Sequence, residues 1–250
     1  MNISGNTIFI PGATSGIGLG FAQRFAAAGN RVVIAGRRQH VIDEIVAGSD
    51  NIDGFVLDVT DPESIEAAVD TIRTRFPDTN VIALVAGIQL PEDLHSSDFL
   101  QTAEATVATN LLGPIRLVAA FSEFLAAKEK AAILTVSSGL AFVPLPLTPT
   151  YNATKAGIHS FSQSLRVQLS DTNVQVIEIV PPPVRTTLMG QENAEEAMPL
   201  GDFLDEVMEL LQSEPDAKEI LVDRVKFLRF AEAEGRYDEV LDMLAAYQQH

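Results

Sequence analysis

Seven short apolar runs, rich in β-branched residues, recur along the chain, and most of the stretches between them carry helical spacing. They lie at about 6–11, 31–35 ("RVVIA"), 53–57, 80–86 ("NVIALVA"), 131–137 ("AAILTVS"), 174–180 ("VQVIEIV") and 219–222. A strand that is apolar without alternation is covered on both faces, and strands separated by helical crossovers pair in parallel. The pattern therefore predicts an α/β fold: a doubly wound parallel sheet of about seven strands with helices on both faces. Right-handed crossovers wind it in both directions from the first strand. The 250 residues contain no linker, so 1–250 reads as one domain. Ligands of such sheets sit beyond the carboxyl ends of the strands.

The helices carry their own punctuation. The first places Ile17, Phe21 and Phe25 on one face and stops at Gly29. A later one opens with Asp61 as N-cap and Pro62 in its first turn, then shows Ile65, Ala68, Val69, Ile72 and Phe76 on one stripe. The last stretch, "RYDEVLDMLAAYQQH", reads as an amphipathic helix with Val240, Leu241, Leu244 and Tyr247 together. Two loops are irregular. Residues 139–150 offer Leu140, Phe142, Val143, Leu145 and Leu147 toward an apolar or mixed substrate pocket, and 187–201, with few apolar anchors, reads as a mobile lid.

The first strand runs into "PGATSGIG", with Gly12, Gly16 and Gly18 where strand turns to helix. Such a turn leaves backbone N–H groups open above the helix N-terminus, which makes an anion cradle. Against it stands a net charge of −17, which repels nucleic acid and anionic lipid, so a phosphate ligand must be held by a local exception. Cysteine is absent, which excludes thiolate chemistry and disulfides. His40, His95, His159 and His250 show no metal-ligand spacing, so no metal is expected. The start lacks a charged and apolar leader and no run approaches transmembrane length, which points to the cytoplasm.

Tyr151 and Lys155 in "YNATK" are four apart and share a helix face. A phenol with a pKa of about 10 is a poor acid-base catalyst, and a nearby ammonium makes it a better one by favouring phenolate. With Ser138 ending "ILTVSSG" and Asn110 in "VATNLLG", the chain resembles the short-chain dehydrogenase/reductase family, in its branch of roughly 250-residue enzymes, over nearly its whole length. "PGATSGIG", "LDVTD", "LVAG", Asn110, Ser138, the tyrosine–lysine pair and "PPPVRT" fall in the family's order.

The resemblance implies a Rossmann-like fold and an NAD(P)-dependent oxidoreductase acting on a carbonyl or secondary alcohol. Tyr151 would be the general acid and base, and Lys155 would bind the nicotinamide ribose and lower the Tyr151 pKa. Ser138, with Ser137 as the alternative, would hold the substrate oxygen, and Asn110 would order a relay water. Gly12, Thr14, Ser15, Gly16, Ile17 and Gly18 would cradle the pyrophosphate, Asp58 and Val59 would line the adenine pocket, and Ala86 and Gly87 would admit the cofactor's approach. Pro181, Val184 and Thr186 would border the carboxamide. At the end of the second strand Gly36 stands where an NAD enzyme carries an acid, followed by Arg37 and Arg38, a sign of NADP over NAD. A homo-oligomer through helices near 103–127 and 151–169 is also implied.

Pro11 replaces the family's threonine, Leu84-Val85 its two asparagines, and Pro182 its glycine. A matched loss of polar groups at 11 and 84–85 leaves an apolar contact in place of an unpaired group. These departures keep open an alternative, a catalytically silent cofactor-binding sensor or interaction protein. "NTIFIPGATSGIG", the triple proline and "EGRYDEVLDML" resemble a bacterial branch associated with D-alanine esterification of teichoic acid. His159 is expected to pack against a neighbouring helix or a partner.

Overall fold

The computed structural model describes residues 1–246 apart from the side chains of 191–193, so the expected place of Tyr247 lies outside the described residues. Strand and helix alternate as β1 Thr7–Pro11, α1 Gly16–Ala27, β2 Arg31–Gly36, α2 Gln39–Ala47, β3 Ile52–Val56, α3 Pro62–Arg75 and β4 Thr79–Leu84. Then come α4 Phe99–Val107, a π-turn Ala108–Leu112, α5 Gly113–Ala126, β5 Ala131–Val136, α6 Pro149–Gln168 and β6 Val174–Val180. The chain closes with α7 Leu200–Ser213, β7 Glu219–Leu221, α8 Lys226–Arg229 and α9 Tyr237–Ala246. The strands form one parallel sheet in the order β3-β2-β1-β4-β5-β6-β7, wound in both directions from β1.

Side-chain alternation divides the core between the two faces. Ile8 and Ile10 pack with Phe21, Phe25, Ile42 and Phe203 under α1, α2 and α7. Phe9 points the other way, among Ile65, Ile72, Phe121, Leu125 and Leu165 of α3, α5 and α6. Local signals act as the sequence predicts. Asp61 accepts from Glu63 N–H with Pro62 opening α3, and Gly29, at φ +87°, takes the left-handed turn after α1.

Three expectations need correction. β4 stops at Leu84, because Val85 N–H donates back to Ala83 O and swings the next residues over the glycine turn. The continuous helical stretch Phe99–Ala126 has mean hydropathy 1.2 over its best window, so one segment does reach transmembrane length and apolarity; here Leu117, Phe121 and Leu125 of its α5 part are buried against the sheet. The apolar residues of 139–150 are largely committed elsewhere: Val143 is buried with Leu228, Ala231, Val240 and Leu244, and Leu140 and Leu145 pack against that cluster. The C-terminal helices thus form a wall behind Ser138. A Cβ on Gly139 would lie 2.7 Å from Leu228 Cδ1, so the two segments meet at van der Waals distance.

Candidate active site

At the carboxyl end of β1 the glycine turn is built by close approach. Gly12 has φ +87°, and a Cβ there would lie 2.5 Å from Ala86 Cα; one on Gly18 would lie 2.3 Å from Gly12 O. Side chains at these positions would force the β1 and β4 loops apart. Ser15, the N-cap of α1, makes no side-chain hydrogen bond to the first turn, so the leading N–H groups there are not capped by it. Thr186 closes over the turn, 3.6 Å from where a Gly16 Cβ would be. The donors, the helix N-terminus and the absence of side chains fit the diphosphate of a dinucleotide.

The β1–β4 ladder ends at Phe9 opposite Ile82, and Gly12 N–H turns to Ala35 O of β2, so no backbone donor toward β4 is called for at position 11. Pro11 and Leu84 are both buried, as apolar residues at these strand ends can be without leaving a polar group unpaired. Pro182 is likewise buried, while the Pro181 carbonyl accepts from Gly139 N–H at 2.9 Å and ties the end of β6 to the loop after Ser138.

At the end of β2, a Cβ on Gly36 would lie 2.7 Å from Thr14 Cγ2, so the glycine turn needs Gly36 small. Arg38 donates to Thr14 Oγ1 at 3.1 Å, and Arg37 adds its charge to Thr60's two hydrogen bonds in holding the Asp58 carboxyl below its usual range, against burial. Both guanidinium groups are exposed at the rim of the cradle. Val59 is buried, with its side chain 3.1 Å from where a Gly113 Cβ would be.

Four further residues come from separate elements. Ser138, two residues past the end of β5, lies close enough to Tyr151, two residues into α6, to act on its phenol. Lys155, one turn on, lies with Nζ 5.5 Å from the Tyr151 ring centre and donates to Val136 O at 2.9 Å. The π-turn places Asn110 beside Gly87: a Cβ there would be 3.4 Å from Asn110 Oδ1 and 3.9 Å from Lys155 Nζ. Asn110 spends its amide on Ile88, accepting from its N–H at 2.8 Å and donating to its carbonyl at 2.7 Å. Ser137, the alternative serine, points away to Glu178.

The electrostatics differ from the sequence expectation. Burial pushes the Tyr151 phenol up to about 12, opposed by the Ser138 hydrogen bond, and Lys155 contributes no resolved lowering. Burial also pushes Lys155 down to about 8, while Glu178 pulls it upward. The lysine thus titrates close to neutrality.

Three polar residues escaped sequence reading. Glu178, wholly buried on β6, accepts from Ser137 and sits 2.9 Å from His159 Nδ1, so His159 pairs with a carboxylate rather than merely packing. Glu92 and Gln89 line the loop after β4. Glu92 Oε2 accepts from Thr150 Oγ1 at 2.7 Å, its Oε1 has no partner among the described residues, and Gln89 donates to Thr148. The signal at Glu178 was an acid inside "VQVIEIV"; nothing in the sequence marked the others. Histidine spacing also concealed that ligand atoms of His159, Glu178 and Glu219 lie within 4.8 Å of one another.

A seven-stranded doubly wound sheet with a glycine cradle and a serine–tyrosine–lysine cluster at its carboxyl edge defines a dinucleotide-dependent oxidoreductase of Rossmann type. The chain belongs to the short-chain dehydrogenase family, whose model matches residues 6–197. It is 36% identical over 248 residues, 98% of each chain, to the uncharacterized oxidoreductase DltE of Bacillus subtilis (strain 168), as the resemblance to that bacterial branch leads one to expect. Its fold matches a short chain dehydrogenase from Burkholderia cenocepacia in complex with NADP, with TM-score 0.82, 23% identity and coverage of 98% and 99% of the two chains. It also matches a short chain dehydrogenase/reductase from Burkholderia phymatum in complex with NAD, with TM-score 0.81, 20% identity and coverage of 95% and 96%.

Proposed function

We propose that the protein is an NADP-preferring oxidoreductase that reduces a carbonyl, or oxidises a secondary alcohol, with Tyr151 as acid and base. The observation that carries this reading is the convergence of Ser138, Tyr151 and Lys155 beside Gly87 and Asn110, next to the glycine cradle. Bound there, the nicotinamide supplies or accepts a hydride. Ser138 orients the substrate oxygen toward Tyr151. Tyr151 gives that oxygen its proton in reduction and takes it back in oxidation. Lys155 holds the ribose hydroxyls with its ammonium and, once they are bound, favours the phenolate. With its amide committed to Ile88, Asn110 orders the relay water through the backbone of the π-turn.

The preference for NADP rests on Arg37 and Arg38 at the end of β2, where the 2′-phosphate would lie. Charge-assisted bonds of this kind contribute about 1.5–3 kcal/mol each. Gly12, Thr14, Ser15, Gly16, Ile17 and Gly18 hold the pyrophosphate; Asp58 and Val59 flank the adenine. Ala86 and Gly87 leave room for the cofactor's approach, and Pro181, Val184 and Thr186 border the carboxamide.

Within the single domain, residues 187–201 serve as a substrate lid, although Leu200 and Gly201 already belong to α7. Exposed Leu100, Leu112 and Val167 on α4, the π-turn and α6 support a homo-oligomer built through these elements. A cytoplasmic location belongs to the same proposal.

The test is a titration with NADPH and NADH, read on nicotinamide fluorescence, followed by turnover on a panel of aldehydes and ketones. Tighter NADPH binding, a ratio that collapses in Arg37→Glu, and a turnover loss of about 10²- to 10⁴-fold in Tyr151→Phe with NADPH affinity kept are the expected results. Retained turnover in Tyr151→Phe refutes the acid-base assignment. An unchanged cofactor ratio in Arg37→Glu refutes the basis of NADP preference.

A further inference from the structure

A buried carboxylate in an apolar strand is costly unless something pairs with it. Glu178 is fully buried at the centre of "VQVIEIV", between Ile177 and Ile179, which face the opposite side of the sheet. Its side chain therefore faces α6, where Lys155 and His159 stand one turn apart on the same face. Ser137 donates to its Oε1, and His159 Nδ1 lies 3.0 Å and 2.9 Å from its two oxygens. The other ring nitrogen of His159 faces the Gln163 amide nitrogen at 3.0 Å, an arrangement that leaves the Nδ1 proton for Glu178. Phe142 covers the imidazole edge-on at 4.7 Å, with Arg229 stacked 4.5 Å above the phenyl ring.

The other charged groups around this carboxylate have hydrogen-bond partners of their own, although Arg229 also feels the Glu178 charge. From β7, Glu219 faces His159 and receives both arms of the Arg229 fork, at 2.7 Å and 3.1 Å. From α6, Arg166 spends its hydrogen bonds on Val176 O and Lys218 O. Tyr151 is acted on by Ser138 rather than by Glu178. His159, Glu178 and Glu219 come close enough together for a cation, but the Arg229 guanidinium holds both Glu219 oxygens and opposes a second cation there. Lys155, one turn before His159 on that face, has no acid within salt-bridge distance among the described residues; its ammonium is buried at 6% exposure, hydrogen-bonded to one neutral carbonyl, and feels the Glu178 charge through space.

We propose that Glu178 is a positioning residue for the reaction: its carboxylate, clamped by Ser137 and His159, is the fixed counter-charge that keeps Lys155 an ammonium inside the site. This rests on the reading above that Lys155 serves the cofactor and Tyr151. Burial alone pushes the lysine toward its neutral form, and Glu178 opposes it. A neutral Lys155 would donate less strongly to the ribose and would give the Tyr151 phenolate no stabilising charge.

The chain has five lysines, so ¹³Cε-lysine NMR resolves Lys155 by its absence in Lys155→Met. The midpoint should lie near pH 8 in the unsubstituted protein and fall by about one unit or more, a tenfold loss of proton affinity, in Glu178→Gln. Glu178→Asp should recover most of it. NADPH affinity measured across the same pH range should weaken at the Lys155 midpoint and follow it downward in Glu178→Gln. Where Glu178→Gln does not fold, ¹³Cδ-glutamate labelling of the unsubstituted protein serves instead: the Glu178 carboxyl resonance should move in step with Lys155. An unmoved lysine midpoint in folded Glu178→Gln, or no such step, overturns the proposal. Failure to bind NADPH with the lysine shift intact overturns the functional reading and leaves the pairing standing.

Discussion

Tyr151 and Lys155 are both buried, and burial moves their protons in opposite directions. The phenol is pushed up to about 12 and the ammonium down to about 8, so near neutral pH the unliganded site holds a phenol and a lysine on the edge of titration. A sequence reading that knows the two residues are neighbours predicts only their mutual attraction; it does not contain the desolvation, which here outweighs it. Stability carries the same signature. At pH 7 folded and unfolded chains both keep the lysine proton, and the folded chain bears the cost of the buried charge. As pH rises past about 8 the folded chain sheds that proton while the unfolded one, at 10.5, keeps it. The unfolded state then binds more protons, so stability rises with pH in that window. Relative to Lys155→Met, the unsubstituted protein should gain up to about 2 kcal/mol between pH 7 and 9.5, from about 1.4 kcal/mol per unit over the interval above the folded pKa. Urea unfolding at the two pH values measures it, and parallel behaviour of the two proteins would show that Lys155 is not buried as a charge.

At the scale of elements, what was legible was what local chemistry dictates. Continuous apolar runs marked the strands, and Asp61-Pro62 and Gly29 marked helix ends, because those signals act within a few residues. The glycine cradle was legible because its demands fall on three positions of one turn, close approach at Gly12 and Gly18 and a positive φ at Gly16. The Glu178–His159 pair was not, since it joins residues 19 apart on β6 and α6 and depends on which strand face meets that helix. The loop at 139–150 misled for a similar reason: its apolar side chains have the composition of a pocket wall, yet Val143 is core to the distant C-terminal helices.

The proposed lid segment is anchored at its base by buried apolar residues and by one guanidinium. Val184 pairs with Met198, and Arg185 donates to the carbonyls of Ala194 and Ala197 at 2.8 Å and 3.0 Å and to that of Glu195 at 2.9 Å. One guanidinium thus closes the base of the excursion. Limited proteolysis should cut within 187–196 in the free protein, several-fold more slowly with saturating NADPH, and fast in both states in Arg185→Ala. Equal cutting with and without NADPH in the unsubstituted protein would rule out cofactor-coupled closure.

The whole molecule presents a conflict of scales, since a chain of net charge −17 is proposed to capture a polyanionic cofactor. The attractive groups are local: Arg37, Arg38 and the open N–H groups at the start of α1. At roughly 10 mM salt the screening length is about 30 Å, so an approaching cofactor feels the net negative charge of the protein. At about 150 mM it falls to about 8 Å, and the cofactor feels chiefly the rim of the cradle. Association of NADPH should therefore accelerate, about several-fold, as salt rises between these limits, the reverse of what a basic dinucleotide-binding surface would give. Having no tryptophan, the protein requires that a stopped-flow measurement be read on the fluorescence of the nicotinamide. In Arg37→Glu the acceleration should persist while the rate at about 150 mM drops, because the long-range repulsion remains and the local attraction is lost. A rate that falls steadily with salt in the unsubstituted protein would mean that Arg37 and Arg38 govern the encounter at every range, and that the acidic surface lies too far from the cleft to oppose it.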